Sequence, residues 1–222
     1  MLKVAASPQI IEGAIAEFLR RYGQHYPKVQ VKLIEAIGWA DVVRMLERGD
    51  IHLGLNLMGA VQRDDQRFAS YPLEPIDLLA ACRSTMKLGS DGKIEIAGLA
   101  PHPLLLLDTS YVFRRNFDAA CRLAGLEPNI AYESRTPHTL LAMAESGHGV
   151  AIIPSGMRTD RHPLRLAAIT YRGKPLRELL TIYWDKRRPL PPYATTFCEM
   201  LAGYMREVFP ISRPTKSGRS RR

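Results

Sequence analysis

One pattern constrains this chain more than any other. An alternation of apolar strand and amphipathic helix runs once from the N-terminus and again about 100 residues later. In the first pass, residues 2–5 read as a short apolar strand. Ser7 then caps a helix, with Pro8 at the first helical position, where its missing N–H costs nothing. Ile10, Ile11, Ala14, Ile15, Phe18, Leu19 and Tyr22 recur at spacings of three and four, which predicts an amphipathic helix ended by Gly23. A strand over residues 29–35 follows, then a helix opened by Gly38 and Trp39 and closed by Gly49, then a strand carrying Ile51, Leu53 and Leu55.

The second pass has the same punctuation. Residues 104–107 are a strand, Asp108, Thr109 and Ser110 form a cap region, and Phe113, Phe117, Ala120, Cys121 and Ala124 mark one face of a helix ended by Gly125. A strand over residues 130–133 leads to a second cap-plus-proline start at Thr136 and Pro137. Leu140, Leu141, Met143 and Ala144 form the apolar stripe of that helix. Gly147 or Gly149 ends it, and residues 150–153 make a strand apolar on both faces.

Strands that alternate with helices imply the α/β class, with mainly parallel sheet and right-handed crossovers. Two such blocks imply two Rossmann-like lobes flanked by helices and joined by two crossover strands, one within residues 68–83 and the return within 178–185. Lobe I is then residues 1–80 with 181–210, closed by a helix over about 193–209. Lobe II is 81–180, and 211–222 is expected to be a disordered basic tail. The formal charge of +9 owes five charges to Arg213, Lys216, Arg219, Arg221 and Arg222 of that tail. The body keeps about +4, which is no nucleic-acid signature.

Other classes are disfavoured by what the sequence lacks. No apolar run approaches the roughly 20 residues of a membrane helix. Cys82, Cys121 and Cys198 are far apart in apolar segments and read as buried thiols of a reducing, cytoplasmic compartment. His25, His52, His102, His138, His148 and His162 lack metal-ligand spacing, and no G-x-S-x-G elbow occurs. The G-H-G of residues 147–149 ends a helix and so is not a dinucleotide fingerprint. The expectation is no catalytic residues, no metal, no cofactor and no enzymatic activity.

Parallel sheets bind ligands beyond the carboxyl ends of their strands, where helix N-termini emerge. That rule selects Ser7, Pro8, Gly38, Trp39, Asn56 and Leu57 from the first block, and Thr109, Ser110, Ser134, Arg135 and Thr136 from the second. Hydroxyls and free amides at helix ends suit a carboxylate, Arg135 adds a charge-assisted bond, and Trp39 and Leu57 supply an apolar wall. The expected ligand is a small organic acid held partly by each lobe. Ser7, Ser134 and Thr136 are equally ordinary helix caps, and Trp39 suits a core as well as a wall. Asp108 would repel a carboxylate and is expected to cap the helix of Tyr111, which itself could face the cleft or pack under that helix.

Four segments, LKVAAS, FLRRYGQHYPKVQVKLIEA, LERGDIHLGL and MAESGHGVAIIP, occur in an order and spacing that resemble the effector-binding domain of LysR-type transcriptional regulators. The resemblance runs through most of residues 1–210. It implies a fold like that of type 2 periplasmic binding proteins, a small effector between the lobes, and a homodimer or higher oligomer. The pairing would use the exposed parts of the helices over residues 10–22 and 113–123. Family members also carry a winged helix-turn-helix before this domain. No candidate for it lies in this chain, so DNA contact is expected only through a domain absent here. His52 stands where the family usually has aspartate, and Glu12-Gly13-Ala14 replaces a leucine-proline step. A stand-alone solute-binding protein of the same fold is the competing expectation.

Overall fold

The computed structural model describes residues 1–60 and 65–215. In chain order the strands are β1 (Leu2–Ala6), β2 (Val31–Glu35), β3 (Leu53–Leu57), β4 (Phe68–Arg83), β5 (Lys93–Glu95), β6 (Leu104–Leu107), β7 (Ile130–Ser134), β8 (Val150–Pro154), β9 (Leu164–Tyr171), β10 (Lys174–Pro175) and β11 (Arg177–Asp185). The helices are α1 (Pro8–Ile10), continued by a π turn (Ile11–Ile15) into α2 (Ala16–His25), then α3 (Trp39–Arg48), α4 (Val112–Leu123), α5 (Pro137–Glu145) and α6 (Pro192–Val208). The chain divides into unit 1, Met1–Ile76 with Glu178–Ile211, and unit 2, Asp77–Arg177 with the segment from Ser212. Among the described residues, no helix is long and apolar enough to cross a membrane.

In unit 1, β1 runs parallel to β2 on one side and β3 on the other, and β11 adds antiparallel to β3. Four of the five β1 side chains are buried, as expected for a strand covered on both faces. The N-terminal helix does not end at Gly23 but runs to His25. Gly23 has open space around it and costs the helix only about 1 kcal/mol, whereas Pro27 bars its predecessor Tyr26 from helical geometry. Phe18 and Tyr22 from this helix meet Phe197 of α6 edge-on, each at 5.1 Å between ring centroids. The Tyr22 hydroxyl donates to the Tyr193 carbonyl at 2.9 Å. The π turn, an extra residue wound into the first turns, was not foreseen and falls on Glu12-Gly13-Ala14. Gly49 closes α3 in the left-handed conformation (φ 75), with the Asp50 amide donating to the Met45 carbonyl.

In unit 2, β6 lies parallel between β7 and β8, and β4 pairs antiparallel with β8 and β9. All of β6 and all but the last residue of β8 are buried. β9 has no counterpart in the sequence reading: Arg165 interrupts its apolar residues, and no helix flanks it to mark the strand–helix alternation. Gly147 (φ 87) is the glycine that ends α5, and the His148 amide donates back to the Met143 carbonyl. Gly149 has a different reason to be glycine: a Cβ there would lie 2.3 Å from the Pro103 carbonyl oxygen.

Part of the segment expected to be a basic tail is docked. Ser212 is 4% exposed, and its hydroxyl donates to the Met157 carbonyl at 2.6 Å. Thr215 exchanges two bonds with Leu166 of β9. Residues 211–215 are therefore not a free tail, because their hydroxyls and amides find partners on unit 2. The remainder of the expected tail, residues 216–222, lies outside the described residues. Cys82, Cys121 and Cys198 are all buried free thiols. Burial pushes the Cys121 thiol up to about 11 and the Cys198 thiol up to about 12.

Candidate functional site

Unit 1 carries six of the expected site residues at the carboxyl ends of β1 and β3 and the start of α3. Ser7 stands at the N-cap in extended conformation with Pro8 at N1, but its hydroxyl makes no capping bond. The first-turn amides of Ile10 and Ile11 bond the Ser7 carbonyl instead. Gly38 enters α3 at φ 79 and ψ 171, a conformation that L side chains rarely adopt. Trp39 packs edge-on against Tyr183 at 4.8 Å and Phe68 at 5.5 Å, so most of its ring serves the unit 1 core. Asn56 and Leu57 are half-buried at the end of β3, where the Asn56 side-chain oxygen accepts the Leu57 amide at 2.8 Å. Gln9, which the sequence reading passed over, is only 7% exposed on the first turn. Its place beside an N-cap serine was the available signal.

His52 also departs from an ordinary surface role. Its Nδ1 accepts the Lys3 amide at 3.0 Å, while its own amide donates to the Lys3 carbonyl. Burial, with nearby Lys3 and the N-terminal amine, holds its pKa below the usual imidazole value and keeps that acceptor unprotonated.

Unit 2 gathers its residues where β6 and β7 end side by side. Asp108 caps a turn and not the helix: its Oδ1 accepts the Ser110 amide at 2.9 Å and the Ser110 hydroxyl, while Tyr111 is the N-cap of α4, which has no side-chain capping bond. The other Asp108 oxygen lies 3.3 Å from Arg135 Nε, so the cation expected to meet a ligand already has a carboxylate beside it. Ser134 Oγ accepts the Thr136 amide at 3.0 Å. Thr136 is the N-cap of α5, as expected, but its hydroxyl makes no capping bond. Thr109 and Ser110 are exposed. Tyr111 bridges the two loops: its ring packs against the unit 2 core and its hydroxyl donates to the Arg135 carbonyl at 2.6 Å.

The residue that holds these loops in place is one the sequence reading missed. Arg114 on α4 is 8% exposed. Its guanidinium donates to the Leu107 carbonyl at 2.7 Å, to both Asp118 oxygens at 3.0 and 3.1 Å, and to Glu133. It thus ties the last residue of β6 to β7 immediately before both loops begin. Asp118 four residues on was a legible helical ion pair, but the tie to Glu133 depends on strand register.

The fold and the loops lead to the family. The sequence profile of the LysR substrate binding domain matches residues 1–206, and the chain belongs to that family. YwbI of Bacillus subtilis (strain 168), an uncharacterized HTH-type transcriptional regulator, is 21% identical over 204 residues, covering 92% of this chain and 66% of that protein. The chain thus spans slightly less than two thirds of the length of the curated relatives it matches first. The C-terminal domain of a probable LysR family regulator from Rhodococcus sp. RHA1 overlays with a TM-score of 0.76 at 21% identity, covering 90% of this chain and 97% of that one. The effector binding domain of QuiR, solved in complex with shikimate, overlays with a TM-score of 0.76 at 10% identity, covering 94% and 98%. These overlays establish a fold of mixed α/β units with mainly parallel strands, as in periplasmic binding proteins.

Proposed function

We propose that this chain is the ligand-sensing part of a LysR-type transcriptional regulator of the cytoplasm, and that it binds a small organic acid between its two units. The family match over residues 1–206 carries the reading, because it includes both sets of helix-start loops. Ser7, Pro8, Gly38, Trp39, Asn56 and Leu57 form the unit 1 side of the site. Thr109, Ser110, Ser134, Arg135 and Thr136 form the unit 2 side. The uncapped hydroxyls of Ser7 and Thr136 support a carboxylate partner, since neither is consumed by its own helix. Asp108 beside Arg135 offsets that cation's charge, which leaves the Ser7 and Thr136 hydroxyls as the groups that meet the acid. QuiR's complex with shikimate is a precedent for a hydroxylated carboxylate on this fold.

Binding shifts the arrangement of the two units, and a DNA-binding domain outside this chain reads the change. The chain works as a homodimer or higher oligomer, paired through the helical faces over residues 10–22 and 113–123. Support comes from exposed Leu123, Ile130 and Tyr132, at 71%, 40% and 47%, two of them on the sheet-edge strand β7.

A melting screen against small carboxylates, shikimate among them, tests the site. A ligand at a hundred times its Kd stabilises by about 2.7 kcal/mol, which raises Tm by roughly 5–10 °C for a chain of this size. Ser7→Ala and Thr136→Ala should lose that shift while melting like the parent without ligand. Absence of any shift with carboxylates at millimolar concentration would remove the organic-acid reading.

A further inference from the structure

The chain crosses between its two units three times, at Ile76/Asp77, Arg177/Glu178 and Ile211/Ser212. The unit 2 residue of every crossing belongs to one hydrogen-bonded node. Ser155, 1% exposed immediately after β8, accepts the Asp77 amide on its hydroxyl at 2.9 Å and donates its own amide to the Asp77 carbonyl at 2.8 Å. The Ser155 carbonyl accepts the Ser212 amide at 2.9 Å. Arg177 closes the node with two bonds to the Asp77 carboxylate, at 2.8 and 3.2 Å.

The third crossing is unlike the other two. The family profile ends at residue 206, so the segment that makes it lies beyond the matched domain. That segment is nonetheless docked along its length. Ser212 is held by Ser155, Met157 and Thr159, and Thr215 bonds both the amide and the carbonyl of Leu166. Pro214 packs where Gly92 leaves room for it; a Cβ on Gly92 would lie 2.9 Å from the proline ring. The free length is short. Helix α6 of unit 1 ends at Val208, and four residue steps to Ser212 can span at most about 14 Å.

We propose that residues 211–215 are a strap: a third linkage that clamps the crossing strands at Ser155 and limits how far the two units move relative to each other. In a sensor whose output is the arrangement of its units, such a strap sets the amplitude of the response. Effector chemistry plays no part in it.

The test uses the full chain without ligand. Spin labels are placed at K28C in unit 1 and K87C in unit 2, both exposed positions, and labelled chains are diluted into unlabelled protein. Double electron–electron resonance should give one narrow distance peak for the parent chain. Ending the chain after Ile211 should cost that peak and leave a broad distribution. Ser212→Pro, which removes the amide and hydroxyl anchors and keeps the rest of the segment, should do the same and serves if the shortened chain does not fold. In Ser155→Ala the Asp77 amide should exchange with deuterium up to about tenfold faster, the loss expected for one hydrogen bond. An unchanged distance peak in a folded strap variant would overturn the proposal. Since no effector is added, that result would leave the organic-acid reading intact, and a failed carboxylate screen would leave the strap intact.

Discussion

Replacing Arg114 by methionine should show how much of unit 2 depends on a single buried cation. Methionine fills much of the same space but donates nothing, so three acceptors lose a partner at once. The Leu107 carbonyl belongs to a residue only 3% exposed, and an orphaned acceptor there costs about 1–3 kcal/mol. The side chains of Asp118 and Glu133 are 25% and 47% exposed. Water reaches both and screens their loss, which brings their joint share to roughly 1 kcal/mol. The total is about 3 kcal/mol, or a fall in Tm of roughly 6–12 °C at the 2–4 °C per kcal/mol usual for a chain of this length. Arg114→Lys keeps the charge but has no planar fork, cannot meet all three acceptors, and should fall between the two. Differential scanning calorimetry at neutral pH gives the answer directly. If Arg114→Met melts within about 2 °C of the parent, the tie between β6 and β7 is not what positions the two loops.

Three further perturbations follow from local geometry. Gly149→Ala puts a Cβ 2.3 Å from a backbone oxygen at φ 154, and should cost at least about 1–3 kcal/mol by urea unfolding; Gly23→Ala, helical with open space around it, should stabilise by about 0.5–1 kcal/mol. Side-chain bonds from Arg187 hold the Asp185 carboxyl at about 2, below its ordinary value of 3.8. A depressed carboxyl stabilises the fold above its unfolded pKa, and that contribution disappears as pH falls toward the folded one. Urea midpoints of the parent and Asp185→Asn should therefore differ at pH 5 and converge toward pH 2; a constant gap would refute the assignment.

What the sequence conveyed was periodicity and punctuation. β1, β6 and β8 were legible because their apolar runs are short and bounded. α3 and α5 were legible because Gly49 and Gly147 take the left-handed conformation that a helix end needs. The end of the first helix was misplaced because glycine only weakens a helix, and Pro27, a few residues on, decides the matter. The π turn left no mark in the pattern, since one extra residue in a turn barely shifts an apolar stripe. In the loops, Ser7 and Thr136 were found at helix starts, but not that their carbonyls would take the first-turn bonds while their hydroxyls stayed uncapped. Arg114, Ser155 and Ser212 were missed for a shared reason. The register of β6 with β7 brings Arg114 to Glu133, and that of β4 with β8 sets Ser155 beside Asp77. Ser212 meets Ser155, Met157 and Thr159 more than 50 residues away in sequence.

The three buried thiols have a use beyond filling space. A thiol whose pKa is pushed to 11 or 12 is almost wholly protonated at neutral pH and reacts only when its surroundings open. Cys198 lies in unit 1, and Cys82 and Cys121 lie in unit 2. Their alkylation rates are therefore separate clocks for the opening of each half of the chain, present in the natural sequence and needing no label.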